Sequence, residues 1–222
     1  MCRWVEVADG VLVRRHRQLN LSTGLVLGEG ACLVIDTGGD ETQGAKLASA
    51  VREVTAAPWT IAITHGHFDH CFGTAAFGRC AVYAHRDCPG YLRRTAATQR
   101  AEWAPHYPAV SAVDPVLPGE LVPEYAVLDV GGRRVELRHF GPAHTDHDLV
   151  VWLPDSRVMF AGDLVEQGAP PSIGPDSRPA SWPGVLDRLI ALRPEVVVPG
   201  HGEPVDTTFV AAQRELLSAG ST

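Results

Sequence analysis

The sequence predicts an α/β protein in which two β-sheets pack together and helices cover them from outside. Three observations lead there. Strand-like and helix-like patterns alternate along the chain, hairpin signals such as Asp9-Gly10 and Gly131-Gly132 punctuate them, and two helix-covered sheets would bury all the apolar faces that result.

Residues 3–8 and 11–16 alternate about Asp9-Gly10, and LVLGEGACLVIDTG supplies two further strands about Gly28-Glu29-Gly30, an antiparallel opening. DETQGAKLASAVREV carries the period of an amphipathic helix. WTIAIT is a buried strand and CAVYAH another, ending near His85; a helix follows from about Cys88 to Trp103. VLDVGGRRVELRHF and LVVWLPDSRVMFAGD are hairpins turning at Gly131-Gly132 and Pro154-Asp155-Ser156. SWPGVLDRLIALR is a helix, EVVVPG a short buried strand and TTFVAAQRELLSA a closing helix. No repeat, low-complexity tract or linker interrupts the pattern, so residues 1–222 read as a single domain.

Composition narrows the function classes. The formal net charge of −7 opposes adsorption to phosphate backbones and anionic lipid, which disfavours nucleic acid and membrane as partners. The start, MCRWVEVADGVLVRRH, lacks the apolar core of a signal peptide, and no run approaches the roughly 18 apolar residues of a membrane span, so a cytoplasmic protein is expected. Five cysteines, Cys2, Cys32, Cys71, Cys80 and Cys88, form no CxxC pair and are odd in number; small buried apolar residues are the expected role.

The stretch ITHGHFDHCFG concentrates His65, His67, Asp69 and His70 just past a strand. His144, Asp163 and His201 also follow strand-like runs, so four strand ends can converge on one cleft. His65 and His67 with His144 make one donor set, Asp69 and His70 with His201 a second, and Asp163 can bridge them, the arrangement of a two-metal hydrolytic site. Imidazoles and carboxylates without thiolate suit zinc and tolerate iron or manganese. Two such cations lower the pKa of a shared water to about 7 and make hydroxide available at neutral pH. Taken singly, His144 or His201 reads as a surface or hydrogen-bonded histidine and Asp163 as a turn residue; the HxHxDH cluster argues against coincidence. His16, His85, His106, His139 and His147 lack that support and read as structural or exposed.

With these residues in view, the chain resembles the metallo-β-lactamase fold superfamily over essentially its whole length: Asp36 in VIDTG, THGHFDH, His144 in GPAHTDHDLVV, Asp163 in FAGDLV and His201 in VVPGHG match in order. The resemblance implies a four-layer αββα sandwich of two mixed sheets and a dinuclear site. It implies His65, His67 and His144 on one metal, Asp69, His70 and His201 on the other, Asp163 between them, and Asp36 holding the metal-binding loop without touching metal.

The superfamily hosts many reactions, so the fold does not name a substrate. Asp163 stands where the commonest zinc β-lactamases place a cysteine, and no lysine follows it in DLVEQGAPPSIG to clamp a drug carboxylate. Twenty-one residues follow His201, too few for the helical substrate domain of glyoxalase II enzymes. The expectation is a dinuclear zinc hydrolase of a small ester, thioester, lactone or amide, with Asp69 both ligating and orienting the attacking hydroxide. The alternatives are β-lactamase-like activity, a mononuclear iron persulfide dioxygenase using His65, His144 and Asp163, and a nuclease or phosphodiesterase. Substrate choice is expected in the loops 86–110 and 165–180, with Trp103, Tyr107 and Ile173 walling a pocket. The oligomeric state is not legible.

Overall fold

Alternation of side chains along each strand sets the layering. The computed structural model describes residues 3–220. Its first sheet has seven strands in chain order: β1 (Trp4–Ala8), β2 (Val11–Arg15), β3 (Ser22–Leu27), β4 (Cys32–Ile35), β5 (Trp59–Ala62), β6 (Val82–His85) and β7 (Glu120–Val122). β1 to β4 are antiparallel, and β4 to β7 are parallel. The second sheet runs β12 (Val196–His201), β11 (Val158–Glu166), β10 (Val150–Leu153), β9 (Arg133–Arg138), β8 (Tyr125–Val130), with only β11 and β12 parallel.

Three apolar layers follow. Leu25, Val34 and Ile61 turn outward from the first sheet onto Leu47 and Val51 of α1 (Glu41–Val54) and Leu92 of α3 (Cys88–Trp103). Their neighbours Val26, Leu33 and Ile35 turn inward onto Leu137, Val151 and Phe160 of the second sheet. The other face of that sheet, through Met159, Ala161 and Val197, meets Trp182, Leu186 and Leu189 of α4 (Trp182–Ala191) and Val210 of α5 (Thr207–Ala219). The result is the expected four-layer αββα sandwich of two mixed sheets.

The boundaries read from the sequence agree to within a few residues. The sequence reading did not include the edge strand β7, the single-turn helix α2 (Phe68–Cys71) inside the histidine motif, or the 3-10 turns Thr74–Phe77 and Pro108–Ala112. Cys32, Cys71 and Cys88 are buried and Cys80 half-buried; Cys2 lies outside the described residues. Among the described residues no helix is long and apolar enough to cross a membrane.

Candidate metal centre

Seven donors arrive from four places in the sandwich. The segment after β5 carries His65 and His67 and runs into α2, whose first turn presents Asp69 and His70; the loop between β9 and β10 carries His144. Asp163 and His201 lie within β11 and at the last residue of β12, not beyond the strands as the sequence suggested. A register shift at Gly162, where φ is +54°, breaks the β11–β12 ladder and re-aims Asp163 toward the cluster. The lack of a side chain at Gly200 is equally local in its effect, because a Cβ there would collide with the Asp163 carboxylate.

His65, His67, His144 and Asp163 form one group and Asp69, His70 and His201 another, the donor atoms of each within 4.8 Å of one another. In the first, His67 Nδ1 is 3.1 Å from His65 Nε2 and 2.9 Å from His144 Nε2. In the second, His201 Nε2 is 3.3 Å from Asp69 Oδ2 and 3.4 Å from His70 Nε2. Asp163 touches both: Oδ2 is 3.6 Å from His144 Nε2 and 3.3 Å from His201 Nε2, and Oδ1 is 3.1 Å from His70 Nε2.

What lies behind each imidazole fixes which nitrogen faces inward. The outer nitrogens have acceptors: Thr64 Oγ1 at 3.1 Å for His65, Asp176 at 3.0 Å for His67, Asp36 at 2.7 Å for His70, the Ser172 carbonyl at 3.0 Å for His144 and the Leu19 carbonyl at 2.8 Å for His201. A neutral imidazole with its proton outward presents a lone pair inward. With a cation in place of any inner proton, five such lone pairs would converge with two carboxylates. Asp163 Oδ1 is buried and without a hydrogen-bond partner, although His70 Nε2 lies 3.1 Å away. Crowded acceptors with an orphaned carboxylate oxygen are a donor set that fits divalent cations of the zinc, iron or manganese type.

The protonation pattern points the same way. Burial, aided by His70, holds His65 well below the usual histidine value, and burial holds His144 down to about 4. At His67, burial is outweighed by Asp176, and the pKa rises. At His70 and His201, burial is outweighed by Asp163 together with Asp69, and both rise. Burial likewise fails to raise Asp163, which His201 and His70 hold well below the carboxylate range. Without cations the carboxylates favour protons on His67, His70 and His201, and a metal would displace them.

Asp36 sits behind the cluster. Its Oδ1 accepts from Thr64 N at 2.8 Å, and its Oδ2 accepts from Thr64 Oγ1 at 2.8 Å and from His70 Nδ1. Its φ of +58° is a costly conformation for a residue with a Cβ. The motif's backbone is held from other elements: Gln99 of α3 accepts from Phe68 N at 2.7 Å and donates to the Gly66 carbonyl at 3.1 Å, and His147 Nε2 accepts from Gly66 N at 3.0 Å.

A cavity of about 500 Å³ opens onto the cluster. Trp103 lines it; Tyr107 stands behind, stacked on Trp103 with centroids 6.0 Å apart; Ile173 is 57% exposed and does not line it, although Ser172 and Gly174 do. Tyr91, whose hydroxyl donates to Asp176 at 2.8 Å, and Glu166, which accepts from Ser172 N at 2.9 Å, also line the cavity. Sequence reasoning missed Thr64, Gln99, Glu166 and Asp176. Only the position of Thr64 beside the motif, and of Glu166 and Asp176 in a loop marked for substrate choice, could have flagged them. Burial and Asp163 push Glu166 up to about 7.

The family model described as the metallo-beta-lactamase superfamily matches residues 17–201. The chain is 29% identical over 106 residues to a metallo-beta-lactamase type 2 of Bacteroides fragilis, covering 44% of this chain and 43% of that one. It is 29% identical over 161 residues to the acyl-coenzyme A thioesterase MBLAC2 of Homo sapiens, covering 65% and 56%. It thus spans roughly half the length of these curated relatives. Among solved structures, a metallo-beta-lactamase from Pontibacter korlensis superposes with a TM-score of 0.83 at 20% identity, covering 98% of this chain and 99% of the other, a likeness of fold.

Proposed function

The chain belongs to the metallo-beta-lactamase superfamily, and from that premise we propose that it is a metal-dependent hydrolase of a small-molecule ester, thioester, lactone or amide, working with two zinc ions. The observation that carries the reading is Asp163 standing between two donor groups, each able to hold one ion. His65, His67 and His144 would hold one, and Asp69, His70 and His201 the other. The names of the relatives, a thioesterase and β-lactamases, support a hydrolase of a carbonyl compound.

When bound, the two ions supply a water acidic enough to ionise near pH 7 and a Lewis acid for the carbonyl oxygen. The rest falls to side chains. Asp69 lines the cavity, and its carboxylate would both hold an ion and orient the attacking water. Asp36, Asp176 and the Ser172 carbonyl hold the rings of His70, His67 and His144 so that no reorientation is needed during the reaction. Phe68, Trp103 and Leu19 form an apolar wall that excludes water from part of the cavity.

The same reading takes residues 1–222 as one domain. It places the protein in the cytoplasm, supported by the four free cysteines among the described residues, which suit a reducing compartment. It also disfavours nucleic acid as substrate, supported by the net charge of −7.

Elemental analysis of protein purified without chelator is expected to find close to two zinc-like ions per chain. A panel of chromogenic esters, lactones, thioesters and β-lactams is expected to show zinc-dependent turnover of at least one carbonyl class. A single tightly held iron, with oxygen consumed on adding a persulfide, would overturn the hydrolase in favour of a dioxygenase.

A further inference from the structure

The charge of the cavity walls narrows the substrate. A lysine or arginine away from the metals would help to hold an anionic substrate, yet among the described residues none lines this cavity. Three carboxylates line it besides those of the donor groups: Glu102, Glu166 and Asp176. Asp176 is engaged by His67 and Tyr91. Glu166 differs, being only 6% exposed, with Oε1 accepting a backbone N–H from Ser172 and no ion pair to any cation among the described residues. A carboxylate so deeply buried is costly to ionise without a partner of opposite charge, and its cavity is open to a ligand that brings one. The same cavity has apolar surface, Trp103 stacked on Phe68 with centroids 4.9 Å apart.

We propose that the substrate carries a cationic group, of the ammonium type, close to the scissile carbonyl, that this group is received at the Glu166 wall, and that its apolar portion lies on Trp103 and Phe68. Substrates with a carboxylate or phosphate in that place are disfavoured by the same wall. The inference rests on the hydrolase reading and adds the substrate's charge to it.

The test uses three acyl esters of one size, whose alcohols end in trimethylammonium, in its uncharged tert-butyl isostere, or in carboxylate, assayed with the zinc-loaded full chain. The expected order of kcat/KM is ammonium, neutral, carboxylate, with about tenfold or more between the first two, as a partly screened charge pair delivers. Glu166→Gln, which keeps the Ser172 hydrogen bond, should shrink the ammonium preference over the neutral ester toward unity. Glu102→Gln, at an exposed position, should narrow it by less.

A preference for the carboxylate ester, equal rates across the series, or an ammonium preference unmoved by Glu166→Gln would sink the proposal while leaving the hydrolase reading intact. If no ester is cleaved, the hydrolase reading is what fails for this bond type. Calorimetric binding of phenylpropyltrimethylammonium against its uncharged tert-butyl analogue then decides the charge question alone: tighter binding of the cation, lost in Glu166→Gln, supports the proposal, and equal binding overturns it.

Discussion

Asp163 lies 3.6 Å from His144 Nε2 and 3.3 Å from His201 Nε2, with its second oxygen buried and without a hydrogen bond. Asp163→Ala removes the charge and the carboxylate that reaches both donor groups. It is expected to lose the more weakly held ion and to lower turnover by about tenfold to hundredfold, read by elemental analysis and initial rates. Asp36 acts at one remove. Its two oxygens accept three hydrogen bonds, and an asparagine can accept at only one atom, so Asp36→Asn leaves an N–H facing an N–H at Thr64 or His70. Asp36→Asn should still bind both ions with a moderate loss of rate, whereas His70→Ala should selectively weaken the second binding step in a zinc titration. The opposite pattern would show that Asp36 is itself a ligand.

At the scale of elements, the donor loop depends on how closely α1 approaches it. Asp40 caps α1 by accepting from Gln43 N at 2.8 Å, which starts the helix directly after the VIDTG segment. One turn on, Gly44 lies against the backbone that leaves α2: a Cβ there would stand 2.8 Å from the Gly73 Cα and carbonyl carbon. Gly44→Ala should therefore destabilise the fold by about 1–3 kcal/mol from overpacking, although alanine favours a helix interior by about 1 kcal/mol over glycine. It should weaken zinc binding as well, because the displaced segment carries Asp69 and His70. Thermal unfolding with and without chelator checks both, with the exposed Lys46→Ala on the same helix as a control expected to change little. The elements legible in the sequence were those with a long enough period. β7 is three residues among prolines and exists through its pairing with β6, and α2 is a single turn, so neither offers a periodicity to read.

Across the whole molecule, stability should fall in mild acid. His16 is 9% exposed, with Nε2 3.0 Å from Thr23 Oγ1, and burial, helped by the Arg14 charge, lowers its pKa to about 4. Between pH 6.5 and 4 the unfolded chain binds a proton at this ring that the folded chain refuses. Stability from this group is therefore complete above pH 6.5 and lost as pH falls toward 4, by on the order of 3 kcal/mol. Urea unfolding in chelator should show the difference between the parent and His16→Gln changing across that window and flat above it. An unchanged difference from pH 7 to 4 would place His16 in water in the folded state.

The sequence by itself determined the fold class, the succession of strands and helices, and the four short segments that bring the donors to one rim. Those features rest on local periodicity, turn chemistry and an improbable crowding of histidines, all of which are written along the chain. Only the tertiary structure decided what stands behind and around the donors. Asp176 reaches His67 across 109 positions, Gln99 and His147 hold Gly66 from separate elements, and Ile173, apolar enough to suggest a pocket wall, points to solvent while Glu166 lines the cavity. These placements depend on how loops and the ends of elements pack against a finished sandwich, where neighbours distant in sequence fix a side chain's partner.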